Sequence, residues 1–150
     1  MVLRKASVCD VPAMAHCRLA DPAAGPADPR MEAYFNGLHH PGEALARRVG
    51  FVAVADDTVI GYIAGHRTTR HGCTGEVEYL FVAPAHRRRG VATALLRQLA
   101  EWFQENGASA VCVDVNPDSV AARPFYESAG AAQLKGPWYV WKDIGKLLHR

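Results

Sequence analysis

Three consecutive arginines, Arg87, Arg88 and Arg89, are followed at once by Gly90, Val91 and Ala92. Ahead of them a run of strand-forming residues, Glu76 to Val82 (EVEYLFV), stops just before Pro84. Behind them Val91, Leu95, Leu99, Trp102 and Phe103 recur at three- and four-residue steps, the spacing of a helix with one buried face. The arginines therefore fall where a strand hands over to a helix. A helix N-terminus offers free backbone N–H groups and a partial positive charge, so carboxylates are favoured there and arginines are the wrong sign. Gly90 and the small Ala92 allow close approach, and guanidinium groups add forked donors. Together these parts suit a bound anion, a diphosphate in particular. A solvated basic patch is the competing reading. Neither GxxxxGK[ST] nor GxGxxG is present.

Carboxylates are the second chemical feature. Glu76 and Glu78 are spaced i, i+2, which points both to one face of their strand. Among Tyr, Leu, Phe and Val they would be desolvated, and desolvation raises a carboxyl pKa toward the range useful for a general base. A solvent-exposed strand face is the alternative. Asp114, late in the next strand, is a third candidate.

The elements that must hold these groups can be traced along 150 residues, enough for a single domain spanning 1–150. Residues 2–6 read as a strand, with Ser7 or Asp10 capping a helix through Met14, Cys17 and Leu19. The segment 20–29 is loop, with Asp-Pro and Gly-Pro junctions. Helical segments are expected over 30–38 and 43–49. Strands follow at 51–55 and 59–67, hinged at Asp56-Asp57, then at 76–82. A helix over 90–106 ends at Asn106-Gly107, with Gly107 as its left-handed cap. A strand covers 110–115 and a helix 119–129, the latter starting late or kinked because of Pro124. A final strand spans 138–144. The unit 76–82, 90–106, 110–115 is a βαβ crossover, so its two strands should run parallel.

Composition excludes several functions. Lys plus Arg is 17 and Asp plus Glu is 15, so the net charge is only +2. With no wider basic face and no aromatic platform beside Arg87–Arg89, nucleic acid is not the expected partner. Cys9, Cys17, Cys73 and Cys112 form no CxxC pair and no Cys/His ligand spacing, so no metal site is expected. They read as reduced thiols. No apolar run approaches the roughly 20 residues that span a bilayer, and no secretory apolar core is visible. A cytoplasmic protein is expected, without a membrane partner.

The run from Val82 to Leu96 (VAPAHRRRGVATALL) resembles the acetyl-coenzyme A signature of the GCN5-related N-acetyltransferases, V-x-P-x-x-R/Q-x-x-G-x-G/A-x-x-L-L. Downstream, Ser119 to Gly130 (SVAARPFYESAG) resembles that family's second signature, N-x-x-A-x-x-F-Y-E-x-x-G-F. The resemblance implies a mixed α/β (α+β) sheet of about six to seven strands flanked by about four helices, splayed between strands 76–82 and 110–115. It implies an enzyme that moves an acetyl group from acetyl-CoA to an amine acceptor by direct transfer, with no metal. The backbone of Leu80, Phe81 and Val82 would pair with the pantetheine arm. The N–H groups of Arg88, Arg89, Gly90, Val91, Ala92 and Thr93 would hold the pyrophosphate, and Arg87 fills the Arg/Gln position. Tyr126 falls at the acid position that protonates the thiolate; on spacing alone it reads as a core tyrosine. Glu76 matches the more common carboxylate position, and Glu78 lies nearer the cofactor end.

Three departures stand out. Ser119 replaces Asn at a cofactor-binding position, Pro124 precedes Tyr126, and Ala131 replaces the usual Phe. They leave open a rival reading, a non-catalytic acetyl-CoA-binding module or sensor. His39-His40 lies in the region that normally walls the acceptor site and reads either as an exposed loop pair or as a substrate contact. Trp138 and Trp141 read as core or rim. The family often dimerises, so a homodimer is an open expectation. The acceptor's identity is not encoded in any motif.

Overall fold

The structure is a computed structural model, and it describes residues 1–149. A seven-stranded sheet in the order β1-β2-β3-β4-β5-β7-β6 forms its centre. In chain order the elements are β1 (Val2–Lys5), α1 (Val11–Arg18), α2 (Met31–Phe35), β2 (Ala44–Ala55), β3 (Thr58–Thr68) and β4 (Gly75–Val82). Then come α3 (Val91–Glu105), β5 (Val111–Asp114), α4 (Ala122–Ser128), β6 (Ala132–Lys135) and β7 (Trp138–Trp141). The sheet is mixed: β4 and β5 run parallel, and every other neighbouring pair is antiparallel.

Each face of the sheet carries its own apolar cluster. The helix α3 lays Leu95, Leu99 and Phe103 against Val77, Val82 and Val111. On the opposite face Met14 and Cys17 of α1 and Met31 of α2 pack with Val52, Tyr62 and Phe81. Burial of such side chains stabilises each layer by roughly 1.5–3 kcal/mol per large residue.

Several expected boundaries shift. Residues 43–49 are not a helix: β2 begins at Ala44 and its N-terminal half pairs with β3, Ala44 opposite Thr68 and Arg48 opposite His66. Ala, Leu and Arg are good helix formers locally, but pairing with a neighbouring strand outweighs a propensity of a few tenths of a kcal/mol per residue. The second helix is only Met31–Phe35, and the last strand stops at Trp141. The short strand β6 was not anticipated; all four of its residues are exposed, so it carries no buried alternation to read. Asp56 and Asp57 turn the β2–β3 hairpin with φ of 51° and 60°, as two short polar residues in a tight turn can. Pro124 gives α4 a late start at Ala122, where its missing N–H would lack a helical partner anyway.

Two irregularities in β4 position the site. Against β3, Ala64 pairs with Tyr79 while Gly65 pairs with Val77, so Glu78 is an extra, unpaired residue. This bulge resets the side-chain alternation: Val77 packs on the α3 side, whereas Tyr79 and Phe81 both pack on the α1–α2 side. It requires Gly65, because a Cβ there would lie 2.8 Å from the Glu76 carbonyl oxygen. Against β5, pairing covers only Gly75–Val77 with Val111–Val113. Beyond Val77 the two strands part, and no strand pairs with Leu80–Val82 on the side away from β3.

Candidate active site

The β4–α3 junction forms one half of the site. After Val82 the chain makes a single turn, Pro84–His86, and then reverses through left-handed backbone at Arg88 (φ 61°) and Gly90 (φ 80°). Gly90 caps α3 with no side-chain bond, and a Cβ there would meet no atom within 4 Å. Among the described residues, no acceptor meets the backbone N–H groups of Arg88, Arg89, Gly90, Val91, Ala92 and Thr93. No acidic residue sits in the helix's first turn. The arrangement presents a row of free donors at the positive end of a 15-residue helix, over an open glycine.

The three arginines are not equivalent. Arg88 and Arg89 make no hydrogen bond or ion pair with described residues. Arg87 turns the other way. Its Nε donates to the Val82 carbonyl at 2.9 Å, its Nη2 to Asp21 Oδ2 at 2.6 Å, and its guanidinium lies over the Phe81 ring. Arg18 stacks on the same ring and donates to the Ala24 and Gly25 carbonyls. The loop after α1 is thereby fastened to the end of β4, next to the donor row.

On the far side of the gap, Tyr126 of α4 is buried against Phe125 and Trp141, both edge-on. Burial raises its phenol well above the usual value. Its hydroxyl has no partner among the described residues. Ser119 Oγ accepts the Ala122 N–H at 3.3 Å, just ahead of the α4 N-cap Ala121.

The α1–α2 side of β4 gathers the carboxylates. Glu76 is 3% exposed, with Arg70 Nε 3.0 Å and His66 Nε2 3.4 Å from the same carboxylate oxygen. Burial alone would raise its pKa, but His66 and Arg70 outweigh that and hold it below the ordinary carboxylate value. Glu78 makes no hydrogen bond or ion pair with described residues. Burial, reinforced by the Glu76 and Asp28 carboxylates, pushes it up to about 7, against the opposing pull of Arg70 and Arg30. Asp28 accepts from Tyr79 Oη at 2.8 Å, and Tyr34 Oη lies 2.9 Å from His66 Nδ1. Arg70 lies over Trp138, whose ring also meets His71, a residue held at φ 55°. Asp114 is exposed on β5 and bonds to neither acid. The His39-His40 loop is tied down by Arg48, which donates to the His39 carbonyl and contacts His40 Nδ1.

Sequence reasoning did not single out Asp21, Asp28, His66 or Arg70. They come from the α1–α2 connection, from β3 and from the β3–β4 connection, and no local motif marks them. Arg87 was singled out, but its contacts with Asp21 and Phe81 depend on a loop distant in sequence.

The fold and these signatures define an acyl-transfer class. A family profile described as the Acetyltransferase (GNAT) family matches residues 15–131. The chain belongs to the GNAT family of acetyltransferases. It is 32% identical over 83 residues to an aminoglycoside N(6')-acetyltransferase type 1 of Acinetobacter haemolyticus, covering 55% of each chain. The chain thus spans about half the length of the curated relatives it matches. Its fold superimposes on Ard1 from Thermoplasma volcanium with a TM-score of 0.73 at 17% identity, covering 93% of both chains. It also superimposes on the PaiA N-acetyltransferase of Thermoplasma acidophilum in complex with coenzyme A, with a TM-score of 0.67 at 16% identity over 93% of this chain and 95% of that one.

Proposed function

We propose that this protein is an N-acetyltransferase that moves the acetyl group of acetyl-CoA directly to a primary amine in a ternary complex. The observation that carries the reading is the row of unpaired N–H groups from Arg88 to Thr93, beside a β4 edge that no strand covers. That pairing of features suits a diphosphate joined to an extended amide-bearing arm. The coenzyme A complex of the PaiA N-acetyltransferase and the N(6')-acetyltransferase relative support the donor and the reaction class.

The residues divide the chemistry. The backbone of Leu80, Phe81 and Val82 pairs with the pantetheine arm, and an N–H there polarises the thioester carbonyl. Arg88 and Arg89 supply charge beside the N–H row; Arg87 is occupied by Asp21 and Val82 and acts by holding the loop. Glu78, unpartnered at the bulge, accepts the proton that the ammonium must lose before its nitrogen can attack. A carboxyl poised near 7 is partly ionised at neutral pH, which suits a base. The new C–N bond forms as the C–S bond breaks, the departing thiolate takes the Tyr126 proton, and the second proton that the nitrogen sheds on becoming an amide returns to the Tyr126 phenolate through solvent. Ser119 contributes through the α4 start that places Tyr126. The acceptor enters from the α1–α2 side, where Asp28, Tyr34 and Tyr79 lie near Glu78.

Acetyl-CoA with a panel of amines, read by thiol release, tests this. Release that depends on the amine supports transfer. Binding of acetyl-CoA with no release from any amine would instead favour a binding module.

A further inference from the structure

Glu76 and Glu78 differ in how the sheet holds them. Glu76 has a strand partner on each side, His66 on β3 and Cys112 on β5. Its side chain is 4% exposed and spans the gap between Arg70 and His66. Tyr34 completes the chain behind it, with its hydroxyl 2.9 Å from His66 Nδ1. The two ring nitrogens face different neighbours, Nδ1 the Tyr34 hydroxyl and Nε2 the Glu76 carboxylate. At 3.4 Å that second contact is long and poorly aligned, and Nε2 has no other hydrogen-bond partner among the described residues. A carboxylate so enclosed cannot reach an incoming amine. Glu78, by contrast, pairs with neither neighbouring strand.

We propose that Glu76 is a positioning residue for the reaction: pinned by Arg70 and His66, it keeps a fixed negative charge beside the bulge, and that charge sets the pH at which Glu78 becomes a base. The inference rests on Glu78 being that base. The groups that act on Glu78 come from every surrounding element: Asp28 and Arg30 from the segment before α2, Tyr34 from α2, Arg70 from the β3–β4 connection, and Glu76 and Tyr79 from β4 itself. Asp28 and Glu76 disfavour its ionisation, and Arg70 and Arg30 favour it. Glu76 and Arg70 are bonded to each other at 3.0 Å, yet they push Glu78 in opposite directions.

This opposition gives the test. In Glu76→Gln the acid limb of the kcat/KM–pH profile moves to lower pH by roughly one unit, because a like charge near Glu78 is gone. In Arg70→Met it moves to higher pH, because an attracting charge is gone. A merely structural role would lower activity at every pH without moving the limb. Glu78→Gln is run alongside. If that variant keeps the wild-type limb, Glu78 is not the base and the underlying reading fails. If it abolishes the limb while Glu76→Gln and Arg70→Met leave it in place, the positioning role is overturned. Should Glu76→Gln fail to fold, Glu76→Met is read in its place: a limb moved to lower pH supports the role and an unmoved limb overturns it.

Discussion

Arg87 and Asp21 are joined at 2.6 Å across 66 residues of sequence, which fastens the loop after α1 to the strand that leads into α3. The same guanidinium donates to the Val82 carbonyl, so one side chain ties the end of β4 to the loop after α1. Its neighbours Arg88 and Arg89 make no such contacts.

This division separates the arginines experimentally. Arg87→Ala should lower stability by about 1 kcal/mol, since it removes a partly exposed ion pair and a hydrogen bond to the backbone. Arg88→Ala and Arg89→Ala should leave the melting temperature unchanged and instead weaken acetyl-CoA binding, more at low salt than at high salt. Thermal melts and titration calorimetry at two ionic strengths check both halves.

Glu78→Gln should lower kcat by roughly 10²–10⁴-fold if the carboxylate is the general base. It should also stabilise the fold above neutral pH. The folded-state pKa of Glu78 is raised, to about 7 from an ordinary 4.5, so the wild-type fold loses stability as pH rises through that window. With allowance for solvent screening the gain at pH 8 is about 1–2 kcal/mol, and it vanishes by about pH 4. Denaturant titrations at the two pH values read this directly. Equal differences at both would contradict the assignment.

Activity should fall as pH drops below about 7, the value to which Glu78 is raised, because its protonated form cannot accept the ammonium proton. Glu76 produces no such limb, since His66 and Arg70 hold it ionised to lower pH. A kcat/KM–pH profile with saturating acetyl-CoA shows which limb exists.

Tyr126→Phe should leave stability nearly unchanged, because its hydroxyl has no hydrogen-bond partner among the described residues to lose. Its kcat should fall by roughly 10²-fold through loss of the proton donor to the thiolate. Unchanged turnover would return Tyr126 to a packing role.

The β4–α3 junction was legible because its parts are contiguous. Strand end, turn, Gly90 and the apolar face of α3 occupy one stretch, and the left-handed backbone at Gly90 follows from that stretch alone. The acceptor side was not. Asp28, Tyr34, His66, Arg70 and Trp138 come from separate segments and meet only once β3, β4 and β7 have been laid side by side. The bulge at Glu78 depends on a register shift against Gly65, which no periodicity announces. The expected helix over 43–49 failed for the same reason: Arg48 is held by pairing with His66 and by bonds to the Tyr34 and His39 carbonyls, all remote in sequence.

The central claim is that the N–H row at Gly90 holds the diphosphate of acetyl-CoA, and Gly90→Glu tests it most directly. The glutamate meets no atom within 4 Å of its Cβ, so the fold should survive, with about 1 kcal/mol of backbone strain at φ 80°. Gly90→Ala carries the same strain without the charge and serves as the control. Calorimetric titration with acetyl-CoA should show that Gly90→Glu binds at least about 100-fold more weakly than Gly90→Ala, the effect of an anion placed against a diphosphate. Equal affinity in the two folded variants would contradict the account.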